Sequence, residues 1–398
     1  MSFLQSLKLS GLLSFPPESE PIQLTPLNVL IGPNASGKSN LIEGLELLRA
    51  TPTAFAAAIR DGGGVQEWLW KGPGSSGSAS IEALINGVHP IPNLRYRLDF
   101  TASGQRTEVT DEAIEEVARR FPSERDVFFY YRFQSGRPVL NVREVTEGRS
   151  GENRIERHLE RQSLVPDESV LSQRKDPDLY PELTWVGQQF ARIQTFREWS
   201  FGRYVALRQP QPADLPTDVL LPDSRNLGLI LNELEHSGAR DEFNRLLSQF
   251  LPRYERFSTR IQGGTVQFYL HEAGLLTPVS ATRLSDGTIR FLAILALLLA
   301  PVPPPLLCLE EPELGLHPDG VTLLADLLVQ ASSRTQLIVT THADGLVSAL
   351  TDNANSVLVC ENRGGTVLRR VDPDQLKPWL DKYRLGEIWR IGELGGNP

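Results

Sequence analysis

Gly32-Pro33-Asn34-Ala35-Ser36-Gly37-Lys38-Ser39 has the spacing of a phosphate-binding loop: Gly, four residues, then Gly-Lys-Ser. The chemistry needs glycines so that the backbone can curl around phosphate oxygens and present its N–H groups. It also needs the positive end of a helix, here opening through Ser39 and Asn40, to face the same charge. Lys38 is expected to reach the β- and γ-phosphates, and the Ser39 hydroxyl to hold Mg²⁺.

Two further constellations follow the same logic. Leu306-Leu307-Cys308-Leu309-Glu310-Glu311 is an apolar run ending in two acids. Strands of parallel sheets carry their ligand groups at the carboxyl end. Glu310 is therefore assigned to a nucleotide-bound Mg²⁺, and Glu311 to orienting and polarising an attacking water. Gln336-Leu337-Ile338-Val339-Thr340-Thr341-His342 repeats the design, with His342 placed to hydrogen-bond a γ-phosphate or the water. Ser285 and Gly287 stand at the start of an apolar helix, where they are open to two readings: an anion-binding N-terminus or a simple N-cap.

These residues need elements to position them. Leu27–Ile31 reads as a strand, and Leu41–Leu48 as a helix with apolar residues at helical spacing. Leu94–Phe100 alternates, and Val127–Tyr131 with Val139–Val142 flank Ser135-Gly136 as a hairpin. An antiparallel sheet results, with one helix expected over Asp111–Arg120. From about residue 176 to 250 the periodicity turns mostly helical, with Leu227, Ile230, Leu231 and Leu234 on one face. A strand pair is predicted at Arg260-Ile261 and Thr265–Leu270. From residue 284 the order helix, strand, helix, strand, helix, strand fits a parallel α/β core.

The chain has 398 residues and a net charge of −9, so any surface for nucleic acid must be local. Its two cysteines, Cys308 and Cys360, lie in apolar runs and read as buried thiols of a reducing compartment. The N-terminus lacks the form of a signal peptide, and the apolar run Phe291–Ala300 is too short to span a bilayer. A cytoplasmic protein with no membrane partner is expected.

Taken together, the pieces resemble the ATP-binding-cassette ATPases, specifically the soluble SMC/RecF-like branch. Gly32–Ser39 looks like Walker A, Leu284–Thr288 like the signature motif, Leu306–Glu311 like Walker B, and His342 like the switch histidine. The run Glu310–Pro318 and the tail Leu385–Trp389 through Gly395-Gly396-Asn397 resemble RecF-like predicted AAA-family ATPases of bacteria. Two departures stand out: Walker B ends Glu310-Glu311 rather than Asp-Glu, and Asp286 replaces the glycine usual in transporters. The resemblance implies an α/β fold, a P-loop NTPase ABC-type head with an antiparallel β subdomain and a short helical lobe in place of a coiled coil. The implied division is residues 1–175 and 256–398 for the two parts of the head and 176–255 for the lobe. ATP and Mg²⁺ are the implied cofactors, and hydrolysis the implied activity. Gln173, with Gln66 as the alternative, is the implied glutamine of the Mg²⁺ shell.

The resemblance also implies an ATP-dependent homodimer, in which the nucleotide on one subunit meets Ser285 and Gly287 of the other. Two roles remain open for that switch. One is DNA maintenance or phage defence with direct DNA contact, through a patch of Lys175, Arg192, Arg197, Arg203 and Arg208 interleaved with Trp199, Phe201 and Tyr204. The other is a sensor or scaffold regulating a separately encoded nuclease, without DNA binding of its own.

Overall fold

The computed structural model describes residues 2–134, 136–143, 154–197 and 199–396. Ser135 of the expected hairpin and Asn397 of the tail lie outside the described residues. The chain divides into two compact units, Met1–Gln194 with Leu358–Arg370, and Thr195–Val357 with Val371–Pro398.

In chain order the first unit contains β1 (Leu4–Ser10), β2 (Ile22–Gln23), β3 (Leu27–Ile31), α1 (Lys38–Ala50), α2 (Phe55–Asp61), α3 (Val65–Trp68), β4 (Ser78–Ile85), β5 (Leu94–Ser103), β6 (Arg106–Glu116), β7 (Phe129–Gln134), β8 (Arg137–Arg143), β9 (Arg154–His158), α4 (Val170–Gln173) and α5 (Pro181–Ala191). Eight of these strands form one sheet in the order β2-β1-β4-β5-β6-β7-β8-β9. Strict alternation builds it: Ala79, Ile81, Ala83 and Ile85 of β4 and Leu94, Tyr96, Leu98 and Phe100 of β5 are buried. Their neighbours along each strand stay partly exposed, as a one-sided antiparallel sheet requires.

The helix expected over Asp111–Arg120 is instead the second half of β6. Asp111 pairs with Asp99 and Glu116 with Leu94 on one side, and Ile114 pairs with Tyr131 on the other. Helix-favouring Glu and Ala are overruled by arginines brought across from neighbouring strands: Arg97 binds Asp111, and Arg95 and Arg132 both bind Glu115. Cross-strand opposite charges stabilise a ladder that local propensity would not choose.

One acid of β6 faces inward. Glu112 is buried and accepts hydrogen bonds from Ser169 Oγ (2.5 Å), Val170 N (2.8 Å) and Tyr96 Oη (2.9 Å), fastening the start of α4 to the sheet. Burial pushes its carboxyl up from 4.5 to about 7. The folded protein therefore binds this proton more tightly than the unfolded chain does. The resulting stabilisation is complete below the unfolded value and is lost as pH rises through the folded one. Between about pH 5 and 8 the melting temperature of the wild type is expected to fall, by the equivalent of a few kcal/mol. In Glu112→Gln that slope should flatten; parallel melting profiles for the two proteins would refute the assignment.

The second unit continues with β10 (Gln194–Phe196), which begins at the division, then β11 (Gln211–Pro212), α6 (Leu227–Glu235), α7 (Arg240–Phe250), β12 (Tyr254–Gln262), β13 (Thr265–Glu272), β14 (Val279–Ser280), α8 (Asp286–Leu298), β15 (Leu306–Glu310), α9 (Pro318–Ala331), β16 (Gln336–Thr340) and α10 (Asp344–Ala349). The chain then supplies β17 (Val357–Asn362) and β18 (Thr366–Arg370), whose residues from Leu358 belong to the first unit, and closes with α11 (Pro373–Leu380) and α12 (Leu385–Arg390) in the second. The expected helices of the middle region are present as α5, α6 and α7, but among the described residues of 192–226 there is no α-helix. Pro210, Pro212, Pro216 and Pro222 explain this, since each removes an amide donor and disfavours helix in the residue before it.

Strands β15 and β16 run parallel, with Glu310 level with Thr340. Helix α8 is apolar around most of its circumference, and Ile289 and Phe291 through Leu298 are buried. An all-round apolar helix belongs inside a unit. The ring of Phe291 stacks on that of Phe250, with centroids 3.9 Å apart. Among the described residues no helix is long and apolar enough to cross a membrane.

Candidate functional site

In the first unit, β3 is buried along its whole length and delivers the chain into the glycine loop. Gly32 (φ 147°) and Gly37 (φ 102°) take conformations that side chains disfavour. Each also lies against a close neighbour. A Cβ at Gly32 would stand 2.2 Å from the Cys360 carbonyl oxygen, and one at Gly37 would stand 1.9 Å from Thr366 Oγ1. Strands β17 and β18 thus form the floor of the loop. From them Cys360 Sγ (3.1 Å) and Thr366 Oγ1 (2.9 Å) both donate to the Ser36 carbonyl. Burial pushes the Cys360 thiol up, which suits packing rather than reactivity.

Lys38 is buried, and its Nζ donates to the carbonyls of Gly32 (2.8 Å) and Pro33 (3.0 Å), folding the ammonium back over the loop. The Ser36 hydroxyl is buried without a hydrogen-bond partner. Helix α1 starts at Lys38 with no side chain capping its N-terminus. A cation, an orphaned hydroxyl and uncapped amides together fit a polyphosphate. Ser39 and Asn40 occupy the first turn of α1.

In the second unit, β15 and β16 end side by side. Glu311 N donates to Thr340 O (3.0 Å), and the backbone of Glu311 then turns left-handed (φ 45°). That conformation costs a non-glycine residue about 1–2 kcal/mol and is concentrated at functional positions. After the turn, Glu311 Oε1 lies 3.6 Å from His342 Nε2, with both side chains partly exposed. The carboxylate and imidazole that the sequence assigned to catalysis are therefore neighbours.

Glu313 was not anticipated. It is buried, and its Oε1 accepts from Thr341 Oγ1 (2.5 Å), which in turn accepts from Ala343 N (3.0 Å). Burial raises its carboxyl, with the Thr341 hydroxyl opposing. Glu313 thus shapes the turn that carries His342. The available signal was a third acid inside a loop otherwise rich in Pro, Leu and Gly.

Ser285 caps α8, accepting from Thr288 N (3.1 Å) and pairing with Thr288 Oγ1 (2.8 Å), and it remains exposed. Gly287 permits close approach, since a Cβ there would meet the Gly315 carbonyl oxygen at 2.6 Å. Arg290, one turn on, donates to the Glu311 carbonyl (3.1 Å). The start of α8 is thereby tied to the loop that follows β15.

Two arginines of the basic patch expected to meet DNA are engaged within the second unit. Arg197 Nε donates to Glu310 Oε2 (3.1 Å), and Trp199 Nε1 donates to Glu310 O (2.8 Å). Arg208 is buried, donating to the carbonyls of Phe201 (2.8 Å), Ala281 (3.2 Å) and Leu284 (2.6 Å) and to the Asp286 carboxylate. Phe201 is buried too, whereas Arg203 and Tyr204 are exposed. Lys175 and Arg192 belong to the other unit.

Gln173 ends α4, and its amide is committed to backbone groups. It accepts from Val165 N (2.7 Å) and donates to Val165 O, Glu168 O and Ser169 O. Nothing in that arrangement offers Gln173 to a metal. Gln66 lies exposed on α3. Among the described residues no group of three or more His, Cys, Asp or Glu side chains could hold a metal ion. A hard cation bound mainly by phosphate and water needs only one or two protein oxygens, and Ser39 and Glu310 are of the right kind.

Residues 27–348 match the family described as "AAA domain, putative AbiEii toxin, Type IV TA system". Among curated proteins, the Old nuclease of Escherichia phage P2 is 34% identical over 73 residues, which is 18% of this chain and only 12% of the phage protein. Among solved structures, the Smc head bound to the C-winged helix domain of ScpA aligns over 94% of this chain and 99% of that one, with TM-score 0.58 and 13% identity. The Pyrococcus furiosus Smc head with an extended coiled coil, bound to the C-terminal domain of ScpA, aligns over 96% and 99%, with TM-score 0.57 and 13% identity. At such identity the likeness is one of fold, that of a P-loop, ABC-type head.

Proposed function

Starting from a chain that belongs to this AAA family and has an SMC-like head fold, we propose that the protein binds and hydrolyses ATP and dimerises around it. The observation that carries the reading is the pairing of Glu311 with His342 at the ends of adjacent parallel strands. It accompanies a loop built for phosphate. The amides of Gly32 through Asn40 and the ammonium of Lys38 hold the phosphates. Ser39 and Glu310 hold the magnesium ion, which when bound neutralises phosphate charge. Glu311 takes the proton of the attacking water, and His342 donates to the γ-phosphate. Ser285, exposed at the start of α8, and the partly exposed Gly287 meet the nucleotide held by a second copy. ATP favours the closed dimer over ADP because only its γ-phosphate offers ligands to both copies.

The switch acts in DNA maintenance or phage defence, a reading supported by the SMC-like fold and by the short match to a phage protein named as a nuclease. A second reading, an ATP-dependent sensor for a separately encoded nuclease, gains from the commitment of Arg197 and Arg208 to carboxylates of the protein itself.

Hydrolysis by mixed variants tests the shared site. Ser285→Arg and Lys38→Ala should each be inactive alone, and mixing them should restore activity, since each hybrid dimer keeps one intact composite site. No recovery on mixing, with both variants folded, would refute it. Repeating the wild-type assay with DNA at low salt separates the two readings: stimulation favours direct DNA contact, and indifference favours the sensor.

A further inference from the structure

We infer that Arg197 and Trp199 form a clamp that orients Glu310 for a divalent cation, which makes Arg197 a positioning residue for the metal acid. The inference rests on the nucleotide-site reading above and extends it to two residues that the sequence placed only in a basic, aromatic patch.

Glu310 is gripped at two points. Arg197 holds its carboxylate through Oε2, and the Trp199 indole holds its main-chain carbonyl. The ion pair is sheltered, with side-chain exposures of 27% for Arg197 and 19% for Glu310. The indole is itself fixed. It packs against Phe196 and Phe201, each with its centroid 5.7 Å away, and the Arg290 guanidinium lies 5.6 Å from its ring. Phe196 and Phe201 are buried, and Arg208 fastens the Phe201 carbonyl. Phe196, Trp199, Phe201 and Arg208 therefore brace one another, and Trp199 reaches the end of β15.

Carboxylates that bind metals are commonly held by such outer partners, and removing one typically costs 10–100-fold in metal affinity. A second possibility makes the opposite prediction. If Arg197 merely competed with the cation for Glu310, deleting its charge would tighten metal binding. The sign of the change decides between the two.

The experiment follows binding of a fluorescent, non-hydrolysable ATP analogue to the full chain, with Mg²⁺ titrated from zero in the presence of chelator. Arg197→Ala should leave the metal-free affinity near that of the wild type and raise the Mg²⁺ concentration for half-maximal effect about 10–100-fold. Arg203→Ala, which removes an exposed neighbouring charge, should change neither quantity. Trp199→Phe keeps the ring and removes only the N–H. It should shift the Mg²⁺ requirement in the same direction by a smaller factor, and it serves if Arg197→Ala fails to fold. An unchanged or lowered Mg²⁺ requirement in the folded variants would overturn the clamp. Failure of the wild type to bind the analogue with or without Mg²⁺ would instead overturn the nucleotide-site reading, and the clamp with it.

Discussion

Glu311→Gln is expected to lower ATP turnover by roughly 10²–10⁴, the range for loss of a positioned acid–base group, while nucleotide binding persists. Two features of the site motivate this magnitude. The backbone takes a left-handed turn at Glu311, a conformation concentrated at functional positions. The turn leaves the carboxylate beside His342. Glutamine keeps the shape and the turn but cannot accept the proton. Phosphate release under saturating ATP provides the measurement. The same variant should accumulate an ATP-bound dimer by light scattering, because the nucleotide persists uncleaved. Turnover close to that of the wild type would reassign the water-activating role to another residue.

Lys38→Ala is expected to weaken ATP binding by roughly 10²-fold. A charge-assisted contact to phosphate is worth about 1.5–3 kcal/mol, and here the same ammonium also ties the loop together through Gly32 O and Pro33 O. Its loss removes a ligand contact and two internal ones. Calorimetric titration with ATP, beside a melting curve to show that the fold survives, measures the effect. An affinity within a few-fold of the wild type would mean that the loop binds phosphate through its amides alone, or not at all.

The parts of the site readable from sequence were those whose chemistry is local. The glycine loop, the two acids ending β15 and the histidine just after β16 each combine a strand with a polar tip, and all the necessary signal lies within about ten residues. What escaped depends on partners far along the chain. The strand Asp111–Glu116 resembles a helix until Arg95, Arg97 and Arg132 supply countercharge from neighbouring strands. Arg197, Trp199 and Arg208 look like a nucleic-acid patch because their types match one. Only tertiary structure shows that they face Glu310, the Leu284 carbonyl and Asp286. Gln173 has the right residue type for a metal shell, yet its amide is consumed by its own loop. Residue type and spacing reveal which chemistry is available; they do not reveal which hydrogen bonds are already taken.

The floor beneath the phosphate loop has a consequence for biosynthesis. Cys360 and Thr366, which brace the Ser36 carbonyl, stand 324 and 330 positions downstream of it. A ribosome making this protein therefore releases the loop long before its supports. Nucleotide capture therefore has to wait for β17 and β18, and the segment that carries the loop must remain tractable meanwhile without that hairpin. C-terminal truncations that remove β17 and β18 should be poor nucleotide binders although every loop residue is still present.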